Sequence, residues 1–288
     1  MKAAAFAPGH ISAFFEPVYS GQNIERTGSR GAGINITLGV VSEVYIQQAS
    51  QQIITICVNG KSSHAPVTRL ALNYLIGESP INIHVDTRLD LPMSQGLGMS
   101  AGGALSATLA AADILHLSRD SALKAAHYAE VQLRSGLGDV VASSFGGIEI
   151  RREPGLPPWG MLEHIPGMYD VIVCVIGKKI ETKRILSDAT KLQEIATLGR
   201  YCTKKLLEAP SVEHLFSLAW EFTQKSGLAD EKVIEAVKTA NRYGMASMSM
   251  LGNSVFAVGN TPMLQKILSA FGTVWVCTVD WLGARIIE

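Results

Sequence analysis

The run Pro92-Met93-Ser94-Gln95-Gly96-Leu97-Gly98-Met99-Ser100-Ala101-Gly102 is the part of this chain best suited to hold an anion. Glycines there let backbone N–H groups close on a charged ligand, and a helix that follows adds its positive end. Phosphate is the natural ligand. The competing reading is a strand–helix connection whose small residues serve packing alone, and the glycine density favours phosphate. Gly96-Leu97-Gly98-Met99-Ser100-Ala101 also satisfies the loose G-x-G-x-x-A dinucleotide pattern. A Rossmann turn should follow its strand directly and lead to a parallel strand; here Pro92 to Gln95 intervene and another helix comes next. A P-loop fails as well, because Thr55 stands where the first glycine before Gly60-Lys61-Ser62 belongs.

Two carboxylates lie downstream. Asp139 follows Gly136-Leu137-Gly138 and opens the uncharged run Val140 to Ile148, so it is a candidate general base. A turn or N-cap aspartate is the commoner use of such a position. Glu130 stands four residues before Arg134, and spacing alone reads it as half of a solvated helix pair.

Elements must position these groups. Residues 2–7, 34–48 and 53–58 read as strands, the last ending at the turn dipeptide Asn59-Gly60. Ser62 or Ser63 is expected to cap a helix over 65–76, closed by Gly77. A strand at 81–85 precedes the glycine loop. Helices follow at 100–116 and 120–134, the second starting from Ser118 or Asp120, and a strand follows Gly146-Gly147. Three prolines in Glu153-Pro154-Gly155-Leu156-Pro157-Pro158 mark the best internal boundary, dividing the chain into 1–153 and 154–288. Beyond it the pattern gives a strand at 171–176, helices at 188–207, 211–224 and 230–243, strands at 245–250, 254–258 and 273–279, and a helix at 262–270. Helices and strands mix without regular βαβ alternation, so the class is α+β.

Composition narrows the function. The 288 residues carry 25 Lys+Arg against 25 Asp+Glu, and charged residues are only 17% with 47% apolar. Disorder is excluded by the apolar content, and nucleic-acid binding is disfavoured because no basic surplus exists. Leu91 to Ala112 is free of charge, but its glycines, serines and Pro92 make it a poor membrane span. No signal-peptide pattern is seen near Met1, and the four scattered cysteines show no C-x-x-C pair, so neither a zinc site nor a disulfide framework is expected and a reducing cytoplasm is the expected location.

Pro92-x-x-x-Gly96-Leu97-Gly98-x-Ser100-Ala101 resembles the ATP-binding motif of the GHMP small-molecule kinases, as do Pro8-Gly9 and Gly138-Asp139 ahead of Gly146-Gly147. Within that superfamily, Pro8-Gly9-His10-Ile11-Ser12-Ala13-Phe14-Phe15, Gly28-Ser29-Arg30-Gly31-Ala32-Gly33 and Ser249-Met250-Leu251-Gly252-Asn253-Ser254-Val255-Phe256 resemble the archaeal pantoate kinases. The resemblance implies a two-domain GHMP kinase fold, with an N-terminal domain like ribosomal protein S5 domain 2 and a ferredoxin-like C-terminal domain. It implies ATP-dependent phosphorylation of the primary hydroxyl of pantoate in archaeal coenzyme A biosynthesis. A homodimer is compatible with it.

The resemblance also implies roles. Pro92 and Gly96 to Gly102 would hold ATP, Ser100 and Glu130 would ligate Mg2+, and Asp139 would be the catalytic aspartate. Ser29, His127, Arg151 and Thr182 would contact pantoate, with Arg151 suited to the carboxylate through bidentate pairing. Arg30, Lys183 and Arg184 are alternative carboxylate partners. The chain departs from the superfamily at three places: His10 stands where many relatives have Lys, Met99 replaces the first serine of the usual Ser-Ser pair, and only Gly252 remains of the third glycine-rich motif. Rival readings are a homoserine-, shikimate- or mevalonate-type kinase, a nucleotide-binding member without turnover, and a dinucleotide-binding protein.

Overall fold

A computed structural model describes residues 1–177 and 189–287. Its first strand, β1 (Lys2–Val18), runs well past the expected end at Ala7 and pairs antiparallel with β2 (Gly28–Gln48), which begins at Gly28 rather than at 34. Pro8-Gly9-His10 therefore lies inside a strand, not after one. Register shifts at Pro8/Gly9 and Ser12/Phe14 accommodate the proline, which has no N–H for the ladder.

The far half of β2 pairs with β5 (Ile81–Leu89), which carries β3 (Ile53–Val58) in parallel and then the short β4 (Lys61–Ser62). The near half, Gly31 to Ile34, pairs with β6 (Ile148–Glu153), itself joined to β7 (Met161–Ile165). A second sheet has the order β11 (Thr273–Thr278), β8 (Asp170–Val175), β10 (Ser254–Gly259), β9 (Gly244–Met248), and β12 (Arg285–Ile286) returns to β1. The class is α+β, as the pattern predicts.

One strand serves two cores. Ala3, Ala5 and Ala7 of β1 pack with Ala104, Leu105 and Ala107 of α2 (Met99–Ile114). Ile11, Phe14 and Phe15 of the same strand pack instead with Phe222 and Phe256 of the other sheet's helices and strands. The bulged stretch Pro8 to His10 sits where one core gives way to the other. That is where the glycine loop meets it.

α2 is buried nearly all round, which accounts for its uncharged sequence; among the described residues no helix is long and apolar enough to cross a membrane. The helix α1 (Pro66–Ile76) is not capped by Ser62 or Ser63. Ser62 belongs to β4, Ser63 Oγ accepts only from the Ala65 N–H at 3.3 Å, and Pro66 opens the helix with its preset φ. Gly77 closes α1, and Ser118 caps α3 (Arg119–Leu133) through the Ser121 N–H, both as expected. The chain also forms α4 (Asp139–Phe145) and β7, which the sequence reading lacks; α4 is only about two turns long, with no polar stripe to announce it. The later helices are α5 (Ala189–Glu208), α6 (Val212–Ser226), α7 (Glu231–Ala240) and α8 (Thr261–Leu268), close to the expected spans.

Candidate active site

The glycine loop is clamped between β1 and the turn after β9. Gly98 has φ +69°, and a Cβ built there would lie 2.9 Å from the His10 nitrogen; Gly96, at φ +71°, would bring one to 2.7 Å from the Ser249 carbonyl oxygen. The left-handed backbone and the close approach each require glycine. The His10 N–H donates to Leu97 O at 3.2 Å, Ser249 Oγ–H to Gly96 O, and Ser254 Oγ–H to Gln95 O at 2.6 Å. The segment Met248 to Phe256, poor in glycine, thus buttresses the loop, and Met250 and Leu251 reach the cavity wall.

That cavity encloses about 710 Å³, within the range of small-molecule sites. Ser29, Gly96, Leu97, Gly98, Met99, Ser100, Ala101, Glu130 and Asp139 all line it. Ser100 stands at the N-terminal turn of α2, whose unpaired N–H groups face an incoming anion. Two expected loop contacts do not: Pro92 lies off the wall, and Gly102 packs α2 onto β2, where a Cβ would come within 2.9 Å of Val40 Cγ2. Thr182, like Lys183 and Arg184, lies outside the described residues.

Asp139 opens α4 directly after the N-cap Gly138, so its carboxylate faces the positive end of that helix. His10 Nδ1–H donates to Asp139 Oδ1 at 2.7 Å, and His10 Nε2–H donates to Glu149 Oε1 at 3.0 Å. Burial alone would depress the imidazole. The Glu149 charge, then the bonds to Asp139 and Glu149, outweigh it and push its pKa up to about 9, so the ring is a cation at neutral pH. Arg151 pairs with the same Glu149 oxygen, lies 3.2 Å from His10 Nε2 through Nη1, and donates to Ser12 Oγ at 3.3 Å through Nη2. Two buried cations thus share Glu149, and the network reaches the cavity wall at Asp139 and at Ser12.

Glu130 is 1% exposed, and neither carboxylate oxygen has a hydrogen-bond partner. Burial, followed by the neighbouring Asp139 charge, holds its carboxyl well above the usual range. The surface pair with Arg134 that spacing alone suggests does not form; Arg134 is exposed at the cavity rim while Glu130 is buried, as the metal-ligand reading requires. Gly136 sits between the two carboxylates, with a Cβ there overlapping Glu130 Oε1 and 3.2 Å from Asp139 Oδ2. An unpartnered buried carboxylate beside a second one, in a cavity that also offers the Ser100 hydroxyl, suits a hard divalent cation.

Two expected substrate contacts stand behind the wall. Arg151, 2% exposed, is committed to Glu149 and Ser12; its Nε has no partner and lies close to Gly138 and Ser29. His127 is fully buried, and its Nε2–H donates to Ile24 O at 3.1 Å, in the turn before Ser29. Burial lowers its pKa, so it is a neutral ring supporting that turn. Arg30 is engaged by Glu153 at 2.9 Å and Glu16 at 3.5 Å. The residue that sequence reasoning missed is Glu149. Its signal was the i,i+2 spacing to Arg151, which places both on one face of β6.

Comparisons with known proteins place the chain in a family. Residues 65–147 match the family described as GHMP kinases N terminal domain. A pantoate kinase of Methanocaldococcus jannaschii is 33% identical over 95% of this chain and 99% of its own length. A pantoate kinase of Thermococcus kodakarensis is 33% identical over 90% and 88%. A solved phosphotransferase related to the CoA biosynthesis pathway superposes with a TM-score of 0.91 at 29% identity, covering 100% of this chain and 99% of that one. Homoserine kinase from Cytophaga hutchinsonii, at 18% identity over 99% and 97% of the two chains, shares the fold with a TM-score of 0.71.

Proposed function

The chain belongs to the pantoate kinases of the GHMP superfamily, and from that premise we propose how its cavity carries out the reaction. The activity is phosphorylation of pantoate by ATP in coenzyme A biosynthesis, on the two-domain α+β fold of that superfamily, with the primary hydroxyl as the acceptor.

Phosphoryl transfer asks a protein mainly for positioning and charge neutralisation. The amides of Gly96 to Ala101 and the N-terminal end of α2 are assigned to the ATP phosphates. Ser100 Oγ and the Glu130 carboxylate are assigned to Mg2+. When bound, that ion neutralises charge on the transferring phosphoryl group. Asp139 orients the pantoate hydroxyl and accepts its proton. His10, charged, fixes the rotamer of Asp139 through its Nδ1–H. Ser29 contacts pantoate on the wall, His127 holds the turn that presents Ser29, and the unpartnered Nε edge of Arg151, just behind that wall, is assigned to the carboxylate.

One observation carries this assignment: Asp139 reaches the cavity already held by His10, with the unpartnered Glu130 beside it. ADP release with MgATP should be followed across pantoate, homoserine, shikimate and mevalonate. Pantoate should give the highest kcat/KM. A higher value for any other alcohol would sink the pantoate reading, and no ADP release with any would sink the kinase reading.

A further inference from the structure

We propose that Cys57, His84 and Asp86 form a binding site for a borderline-soft divalent cation, zinc by its donor chemistry, on the outer face of the first sheet. β3 and β5 run parallel with Thr55 opposite His84 and Cys57 opposite Asp86. Their neighbours Ile56, Ile83 and Val85 lie in the core that holds α2, so the alternating residues Thr55, Cys57, His84 and Asp86 project from the opposite face. One ligand atom from each of Cys57, His84 and Asp86 lies within 4.8 Å of the others.

The details suit a metal better than a chance polar cluster. His84 Nδ1 is hydrogen-bonded to Thr55 Oγ1 at 2.8 Å, which leaves Nε2 as the outward nitrogen, 3.0 Å from Asp86 Oδ2. A tetrahedral zinc with bonds of about 2.0–2.3 Å needs donor separations slightly above 3 Å, so the N···O pair opens by only a few tenths of an ångström. The hydroxyl of Thr55 can donate to Nδ1 or accept from it. The ring can therefore move its proton from Nε2 to Nδ1 as the cation takes the Nε2 lone pair. A thiolate and a carboxylate balance the two positive charges, and the Cys57 proton leaves on binding. The sulfur and nitrogen donors disfavour Mg2+, which separates this site from the all-oxygen pair Ser100 and Glu130. Glu43 and Tyr45, next along the face, are engaged with each other and Lys2, so water completes the shell. Cys57 is also the half-exposed cysteine. Cys174, Cys202 and Cys277 are buried, with burial pushing each thiol up to about 12.

Cobalt(II), which takes zinc sites and reports thiolate ligation by a near-ultraviolet charge-transfer band, is the probe. The reduced full chain should bind one equivalent with that band, and one equivalent of zinc should bleach it. Cys57→Ser should lose the band, His84→Ala and Asp86→Asn should weaken binding at least tenfold, and Thr55→Val roughly tenfold to a hundredfold. Zinc should raise the melting temperature of the wild type and leave that of His84→Ala unmoved. Cys57→Ser should turn over pantoate and MgATP normally. A wild-type chain without the band, a band that survives Cys57→Ser, or cobalt binding to His84→Ala as tight as to wild type, overturns the site.

Discussion

His10, inside the long first strand, donates its Nδ1 proton to Asp139 Oδ1 at 2.7 Å although 129 residues separate them in the chain. The contact forces Asp139 into one orientation at the start of its helix. The buried Glu149 on the far side of the ring keeps the imidazole charged. A lysine would offer Asp139 a flexible point charge, whereas this ring is pinned from both nitrogens. The orientation of the proposed base is therefore set by β1 and β6 together.

This arrangement gives stability a definite pH dependence. The folded imidazole titrates at about 9 against an ordinary 6.5, so its contribution is fully present below 6.5 and disappears as pH rises through 9. The linkage is of the order of 3 kcal/mol. Urea midpoints measured between pH 6 and pH 10 should fall across that window, and His10→Gln should flatten the fall while lowering the starting value. A wild-type midpoint that stays level from pH 7 to pH 10 would contradict a charged His10.

Asp139→Asn should keep nucleotide binding and lose about 10²- to 10⁴-fold in turnover, since an amide cannot accept the hydroxyl proton. Equilibrium binding of an ATP analogue and single-turnover rates separate the two effects. A turnover within threefold of wild type would remove Asp139 from the chemistry.

Glu130 should show the opposite sign from an ordinary surface carboxylate. Its raised pKa means that ionisation inside the fold is penalised as pH climbs above the usual carboxylate range, unless a cation compensates. Glu130→Gln should accordingly melt no lower than wild type at pH 7 without Mg2+. With ADP present, added Mg2+ should raise the wild-type melting temperature clearly and the variant's little. Equal Mg2+ shifts in both proteins would return Glu130 to a purely structural role.

Much of this was written locally in the sequence, and some was not. The glycine loop and α2 are legible because their chemistry is contiguous: small residues for backbone approach, then an uncharged helix for burial. The full length of β1 and β2 is not. Ala13-Phe14-Phe15 is buried on both faces and shows no alternation, and Gly28-Ser29-Arg30-Gly31-Ala32-Gly33 has the composition of a loop. Those glycines belong to a strand because side chains crowd onto it: a Cβ on Gly33 would lie 2.6 Å from His10 Nε2, and one on Gly31 would lie 3.1 Å from Arg151 Nη2. Glu149 was hidden for a related reason. Its spacing to Arg151 puts both on one face of β6, but its other partner, His10, comes from β1, and pairing across elements leaves no periodic trace in one sequence.

Arg151 poses the sharpest question, because it is both an internal counter-ion and the cation assigned to the pantoate carboxylate. Removing it alone leaves Glu149 with His10 as its single counter-ion, and breaking one pair of such a buried network costs up to about 3–5 kcal/mol. Arg151→Met should therefore lose stability whatever its role in binding, and a raised pantoate KM in that variant would be ambiguous. The double variant Glu149→Gln, Arg151→Met removes both charges and should recover most of the lost stability. If Arg151 Nε reaches the substrate, the double variant still lacks a charge-assisted bond of about 1.5–3 kcal/mol, so its pantoate KM should stay roughly ten- to hundredfold high. Its ATP KM should barely move, because the phosphates are assigned to the loop at Gly96 to Ala101. Steady-state constants for both substrates, with melting curves for the single and double variants, separate these cases. A double variant with wild-type pantoate KM would confine Arg151 to pairing with Glu149, and the carboxylate would then need Arg30, Lys183 or Arg184.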